Sequence, residues 1–104
     1  MRKIQLAKIA HARSGDKGDI ANIGLIAYTK EGYEIIKREV TPDRVKEHFG
    51  DLVKGEVERY ELPNFNALEF VLHGALDGGA TKSLRMDNLG KNIGQALLLM
   101  EVEV

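Results

Sequence analysis

The segment ARSGDKGD, residues 12–19, concentrates side chains that bind charge. Gly15 and Gly18 permit positive φ angles and a close approach by a ligand, and successive backbone N–H groups in such a turn form a nest for an anion. Lys17 adds a mobile cation beside these glycines. The segment therefore predicts an anion-binding loop.

The other polar residues of this segment allow a second kind of chemistry, proton transfer. Asp16 and Asp19 are carboxylates that could orient the lysine, bind a cation or act as general acids or bases, and His11, just before the segment, is a further candidate base. Arg13 and Ser14 supply another cation and a hydroxyl. The alternative is a solvated loop in which aspartate and glycine supply only turn chemistry. Composition leaves both interpretations open.

A second cluster lies in KSLRMDNLGK, residues 82–91. Arg85, Asp87 and Lys91 surround a predicted helix start, where free N–H groups and the helix dipole favour an anion. The structural alternative is an ordinary aspartate N-cap with exposed basic neighbours. If the two clusters meet, a chain of net charge −1 would carry a locally positive cleft.

Several common site motifs are absent from the sequence. Neither the GxxxxGK[ST] nor the GxGxxG pattern occurs, and EF-hand and GxSxG spacings are missing as well. The three histidines have no HxH or HExxH spacing, and the chain has no cysteine. The missing cysteines exclude disulfides, thiolate nucleophiles and Cys-based zinc sites. We therefore predict neither a metal site nor a cofactor.

The composition is that of a globular protein, with 43% hydrophobic and 30% charged residues in a chain of 104. This length predicts a single domain over residues 1–104. The net charge of −1, the lack of tryptophan and the lack of RNP-type aromatic motifs disfavour nucleic-acid binding. The longest apolar run, ALLLM at 96–100, is too short to span a bilayer. With no signal-peptide pattern at its start, the chain is expected in the cytoplasm.

The elements that must position these residues follow from the hydrophobic pattern. Strands are predicted over 3–12 and 20–29, with 13–19 as the loop between them, and the second strand is expected to be buried on both faces. Further strands are predicted over 56–63 and 81–86, with a final edge strand at 101–104.

Helices are predicted between these strands. The first covers YEIIKREV, residues 33–40, and the second begins at Pro42 after an N-cap at Thr41 and ends at Gly50 or Gly55. A third helix is predicted over 65–76 because its apolar residues form a stripe, and a fourth over 88–100. This order predicts an α+β two-layer sandwich, with one sheet of about four strands and the helices packed on one face.

Five segments, read together, resemble a known family. They are ARSGDKGD with Asn22 and Gly24, ELPN (61–64), NALEFVL (66–72), the glycine pair at 78–79, and SLRMDNLGK (83–91). In this order they resemble the small C-terminal domain of AtuA-like proteins, which are associated with acyclic terpene utilisation. That domain also occurs as a separate short protein beside a larger AtuA-like partner, and the resemblance covers nearly the full chain.

This resemblance implies a ferredoxin-like α+β fold, and the lack of cysteine excludes an iron–sulfur cluster in it. It also implies a role in the catabolism of branched or acyclic acids at the CoA-thioester level. Our leading hypothesis is an accessory subunit that docks on a larger AtuA-like protein and contributes an anion-binding loop to an acyl-CoA or carboxylate site. The alternatives are a self-contained small lyase or hydratase and a pure interaction module. Self-association is a further expectation, because a domain of this size has a small core and one layer of helices would leave apolar segments of the chain exposed.

Overall fold

The computed structural model describes residues 2–17, 20–50, 53–74 and 93–104 of the chain. The strands are β1 (Lys3–Gln5), β2 (Ala10–Lys17), β3 (Ile20–Ala27), β4 (Val57–Leu62), β5 (Ala67–His73) and β6 (Glu101–Glu103). The helices are α1 (Lys30–Glu39) and α2 (Pro42–Phe49), and residues 93–97 are also helical. Short 3-10 turns occupy Leu6–Lys8 and Pro63–Phe65. The strand predicted at 81–86 lies outside the described residues, as does the start of the fourth predicted helix.

Four strands form one antiparallel sheet in the order β2-β3-β5-β4, and β1 pairs with β6 in a separate antiparallel ladder. Because β5 is antiparallel to both of its neighbours, β3 and β4 run parallel to each other with β5 between them. The two helices make the crossover from β3 to β4, which is the split βαβ arrangement of ferredoxin-like folds. The predicted α+β class and the sheet of four strands are confirmed.

The helices cover one face of this sheet, since α1 contacts β3 and β5 and α2 contacts β4. Burial along β3 alternates: Ile23 and Leu25 are fully buried, whereas Gly24 and Ile26 on the opposite face are only partly buried. The prediction that 20–29 is buried on both faces is therefore wrong. The largest buried side chains are Phe70, Leu6, Ile23, Leu25, Ile36, Leu68, Leu72, Ile93, Leu97, Val40, Val45 and Val53.

Threonine caps begin both helices. The Thr29 hydroxyl accepts a hydrogen bond from the Gly32 N–H at 2.9 Å, and the Thr41 hydroxyl accepts one from the Arg44 N–H at 3.2 Å. The second helix begins at Pro42, as predicted, and ends before Gly50, whose φ of 57° suits glycine. The first helix begins three residues earlier than its predicted start at residue 33, because Thr29 rather than Gly32 sets its boundary. No helix in the described ranges is long and apolar enough to cross a membrane.

The helix predicted over 65–76 is wrong, because residues 67–73 form β5 instead. Its fully buried residues, Leu68, Phe70 and Leu72, alternate with partly buried ones, and that period of two fits a strand. The Pro63–Phe65 turn and a left-handed residue, Asn66 with φ of 53°, join β4 to β5 in a hairpin. Asn66 therefore belongs to a turn that reverses the chain, and no helix starts here.

The strand predicted over 3–12 is divided into two strands by the Leu6–Lys8 turn. The Leu6 N–H donates to the Met100 carbonyl at 2.9 Å, so the turn is tied to the segment that precedes β6. The predicted edge strand near the end of the chain is confirmed as β6, which pairs with β1.

A carboxylate between two arginines fixes β6 against the helices. Glu39 accepts hydrogen bonds from Arg38 Nε and Arg44 Nη1, each at 3.2 Å, and from the Glu103 N–H at 3.1 Å. The arginines also donate to the carbonyls of Glu103 and Glu101, at 2.6 and 2.9 Å. The hydrogen bond from the Glu103 N–H has the largest effect on the pKa of Glu39 and lowers it, and the two arginines lower it further. Together they outweigh burial, which raises this pKa.

Candidate functional site

The polar segment at 13–19 is not the loop that the sequence predicted. Its first five residues continue β2 to Lys17, and β3 begins again at Ile20, so the two strands form a long hairpin. Gly15 pairs with Asn22, and Lys17 pairs with Ile20. The segment adopts a strand conformation because its backbone forms a hydrogen-bond ladder with the apolar strand β3. Gly18 and Asp19, and the side chains of Asp16 and Lys17, lie outside the described part of the chain.

The register divides the residues of β2 between the two faces of the sheet. Arg13 pairs with Gly24, and Gly24 pairs with Glu69, so the three lie in one row across the face that the helices leave uncovered. Ser14 lies on the other face, since a Cβ added at Gly94 would lie 3.3 Å from the Cβ of Ser14. Of the predicted residues, His11, Arg13 and Gly15 lie on the uncovered face and line a groove there, and Ser14, whose side chain lies on the other face, belongs to the strand segment that borders it.

This groove has a volume of about 630 Å³, and glycines form much of its floor. A Cβ at Gly24 would lie 3.4 Å from Oε1 of Glu69, and a Cβ at Gly15 would lie 3.0 Å from Oδ1 of Asn22. In each case a polar oxygen from the neighbouring strand reaches over the glycine. The groove therefore exists because β2 has a glycine at position 15 and β3 has one at position 24, so neither strand has a side chain there.

One end of the groove is apolar and the middle is polar. Ile26, Leu62, Phe65 and Ala67 line the apolar end. Phe65 is 71% exposed although it stands in a structured turn beside the sheet. Such a wall accepts an aliphatic chain, because each CH₂ removed from water contributes about 0.8 kcal/mol.

Arg13 and Glu69 face the polar middle of the groove from opposite sides of Gly24. Among the residues that the structure describes, neither side chain has an ion pair or a hydrogen bond. Burial raises the pKa of the Glu69 carboxyl because desolvation disfavours its charged form. The groove thus combines an exposed cation with a half-buried carboxyl group suited to holding or taking a proton.

His11 lies at the apolar end, two residues before Arg13 along β2 and on the same face. Its ring stacks on Tyr28 with a centroid separation of 5.3 Å, and it pairs in register with Ile26. Its Nδ1 atom is buried and has no hydrogen-bond partner among the residues that the structure describes. The stack fixes the orientation of the imidazole in the groove wall.

A second polar group occupies the same face nearer the β2–β3 turn. The Tyr60 hydroxyl donates to Oε1 of Glu58, and His73 Nε2 lies 2.5 Å from Oε2 of the same carboxylate. The hydrogen bond from Tyr60 has the largest effect on the pKa of Glu58, and the one with His73 comes next; both lower this pKa. The same hydrogen bond to the Glu58 carboxylate raises the pKa of Tyr60. Tyr60 pairs with Glu69, Glu58 pairs with Val71 and His73 pairs with Ile20, so the group extends from the row of Glu69 to the row beside the β2–β3 turn.

The second predicted cluster, Arg85, Asp87 and Lys91, lies outside the described residues, so the predicted meeting of the two clusters stays a prediction. In the described ranges no three histidine, aspartate or glutamate side chains are arranged to hold a metal ion. Sequence reasoning missed Glu69 and Phe65, which it assigned to a helix. The alternation in LEFVLH was the signal that would have placed Glu69 on a sheet face.

Fold and site together define a class of protein: a ferredoxin-like α+β domain whose uncovered sheet face carries a groove with a cationic side, an acidic side and an apolar end. The family model of the AtuA ferredoxin-like domain matches residues 4–103, and the chain belongs to this family. Neither the curated proteins nor the solved structures gave a match to the chain.

Proposed function

We propose that this chain is an accessory subunit of a larger AtuA-like protein and that its groove binds a small organic anion with an aliphatic chain. The ligand is a carboxylate, or a CoA thioester whose acyl chain lies against the apolar wall. The observation that carries the proposal is the presence, in one groove, of the exposed Arg13 and an apolar wall. A volume of about 630 Å³ is within the range of small-ligand sites.

The cation supports an anionic ligand. Because no described carboxylate pairs with Arg13, its five N–H donors are available to a ligand. A guanidinium binds a carboxylate through two parallel hydrogen bonds, and charge-assisted bonds of this kind contribute about 1.5–3 kcal/mol.

The uncovered face supports a partner. Tyr60, Leu62 and Phe65 are 51%, 40% and 71% exposed on or beside it. Exposed apolar patches on a small domain mark interaction surfaces. Membership of the AtuA ferredoxin-like family supports a larger AtuA-like protein as the partner. Covering this face would exclude water from the groove and strengthen every polar contact within it.

Binding is tested by NMR titration of labelled protein with pentanoate, inorganic phosphate and butyryl-CoA. We expect pentanoate or butyryl-CoA to shift the amides of residues 11–15, 22–26 and 67–69, and phosphate alone to bind more weakly. Arg13→Met is expected to weaken pentanoate binding about tenfold. Lys54→Met, which removes an equal charge from an exposed residue outside the groove lining, is the matched control. Shifts confined to other regions at millimolar ligand would overturn the groove assignment.

The partner is tested with tagged protein expressed in its native host. We expect an AtuA-like protein to co-purify, and Phe65→Ser to abolish its capture. Leu99→Ser is the matched control, because Leu99 is 60% exposed and lies outside the groove lining. If the chain is isolated as an 11.5 kDa monomer without an AtuA-like protein, the accessory role is refuted.

A further inference from the structure

Binding of an anion explains Arg13 but leaves the Glu69 carboxyl group unexplained. A second carboxylate close to an anionic ligand would repel it, and it loses that charge only while it holds a proton. Glu69 is partly buried at the centre of the sheet, and its Oε1 lies over Gly24 at 3.4 Å from the position of a Cβ there. Partly buried carboxyl groups of this kind are usually hydrogen-bonded.

We propose that Glu69 transfers a proton to and from the carbon next to the carbonyl group of a 2-oxo carboxylate bound in the groove. This inference rests on the proposed function, since the ligand must occupy the groove with its anionic end at Arg13. It adds an activity, enolisation of the ligand, to binding.

The row Arg13–Gly24–Glu69 supplies the geometry. Neighbouring strands lie about 4.8 Å apart, so the backbones of β2 and β5 at this row are separated by about 10 Å. Gly24 adds no side chain between them, and Oε1 of Glu69 reaches over it, 3.4 Å from the position that a Cβ would take. A planar carboxylate and carbonyl group fits this space with its oxygens toward Arg13 and its next carbon toward Glu69. The remaining aliphatic chain then reaches the wall that contains Ile26 and Phe65.

The step balances without a further reactant. The C3–H bond of the ligand breaks, the proton goes to a carboxylate oxygen of Glu69, and the electron pair forms the C2=C3 bond while the carbonyl oxygen becomes an enolate. Arg13 stabilises the negative charge on that oxygen. Return of a proton from Glu69 to C3 regenerates the ligand. The raised pKa of Glu69 supports this role, because a base is most effective when its pKa approaches the working pH.

The experiment measures deuterium incorporation at C3 of 2-oxopentanoate in D₂O by proton NMR, in parallel with the dissociation constant of the same compound. Wild type is expected to bind and to accelerate exchange over buffer. Glu69→Gln preserves the size of the side chain, so binding should change less than threefold while exchange falls at least a hundredfold. Glu56→Gln, an exposed carboxyl group outside the groove lining, should leave both values unchanged.

The outcomes separate the two proposals. Binding without exchange above buffer, or full exchange in Glu69→Gln, overturns the proton-transfer role and leaves the binding function intact. Absence of binding at the groove overturns both. As a second readout that needs no variant, the wild-type exchange rate should rise with pH through one ionisation above the ordinary glutamate value. A rate that follows buffer catalysis at every pH also refutes the role.

Discussion

Replacing Gly24 by alanine tests the groove most directly, because the change should act on stability and binding in opposite directions. Gly24 lies within β3, and its added Cβ would meet Glu69 Oε1 at 3.4 Å and the Arg13 carbonyl at 4.0 Å. Both are ordinary contact distances, so the methyl group fits without moving the backbone. Its φ does not lie in the left-handed region, so alanine adopts the same backbone without strain.

The stability of the variant should therefore rise. A glycine in a strand interior costs about 0.5–1 kcal/mol relative to alanine, because the unfolded chain loses more freedom on folding. For a domain of this size 1 kcal/mol corresponds to about 4–8 °C in Tm, so we expect Tm to increase by about 2–8 °C. Differential scanning calorimetry of the two proteins under the same buffer conditions measures this difference.

The binding of pentanoate should weaken in the same variant. The methyl group occupies the floor between Arg13 and Glu69, so a ligand that rests there must rise away from the guanidinium. Loss of one CH₂ of burial and weakening of a charge-assisted bond together cost about 1.4 kcal/mol or more, which is a tenfold increase in Kd. An unchanged Kd with a raised Tm would show that ligands do not use this groove. A lowered Tm would show that the structure cannot accommodate a methyl group at position 24, contrary to the contact distances given above.

Three further predictions concern stability. Gly55→Ala should destabilise the protein by about 1–3 kcal/mol in urea unfolding, because its Cβ would lie 2.7 Å from the backbone oxygen of His73; an unchanged midpoint contradicts this. Tyr33→Phe should leave stability equal or up to about 1 kcal/mol higher, because the buried Tyr33 hydroxyl has no hydrogen-bond partner within the described part of the chain; a loss above about 1 kcal/mol refutes this explanation. The Glu103 N–H lowers the pKa of Glu39 below 4.5, so the stability that Glu39 contributes is complete above pH 4.5 and lost as the pH falls through the folded-state pKa. Thermal unfolding between pH 3 and 6 should show this loss in wild type and less of it in Glu39→Gln.

Local signals in the sequence were sufficient for some elements. The Thr41-Pro42 pair predicted the start of α2 because the cap and the proline act within one turn of backbone. Pro63 likewise ended β4 where the sequence placed its end. Such features depend only on neighbours in the chain, so no knowledge of the rest of the fold was needed.

The error over residues 65–76 has a different cause. Leu68, Leu72 and Leu76 are spaced four apart, which fits a helix face, and Leu68, Phe70 and Leu72 are spaced two apart, which fits a strand face. Tertiary contacts decide between the two patterns. Here β5 is one of the two inner strands of the sheet and pairs with both β3 and β4, so its backbone hydrogen bonds go to two neighbours.

The groove itself could not be predicted from the sequence, again because tertiary contacts form it. Arg13, Gly24 and Glu69 come from three strands, and only the register of two ladders brings them into one row. A slip of one residue in either ladder would move a member of the row to the helix-covered face. The local motif identified Arg13 and Gly15 as candidates through their chemistry, yet it predicted an anion-binding loop with a nest of N–H groups. The structure instead places them on strand β2, where Gly15 adds no side chain to the sheet face and Arg13 lies in the same row as a carboxyl group 56 residues later in the chain.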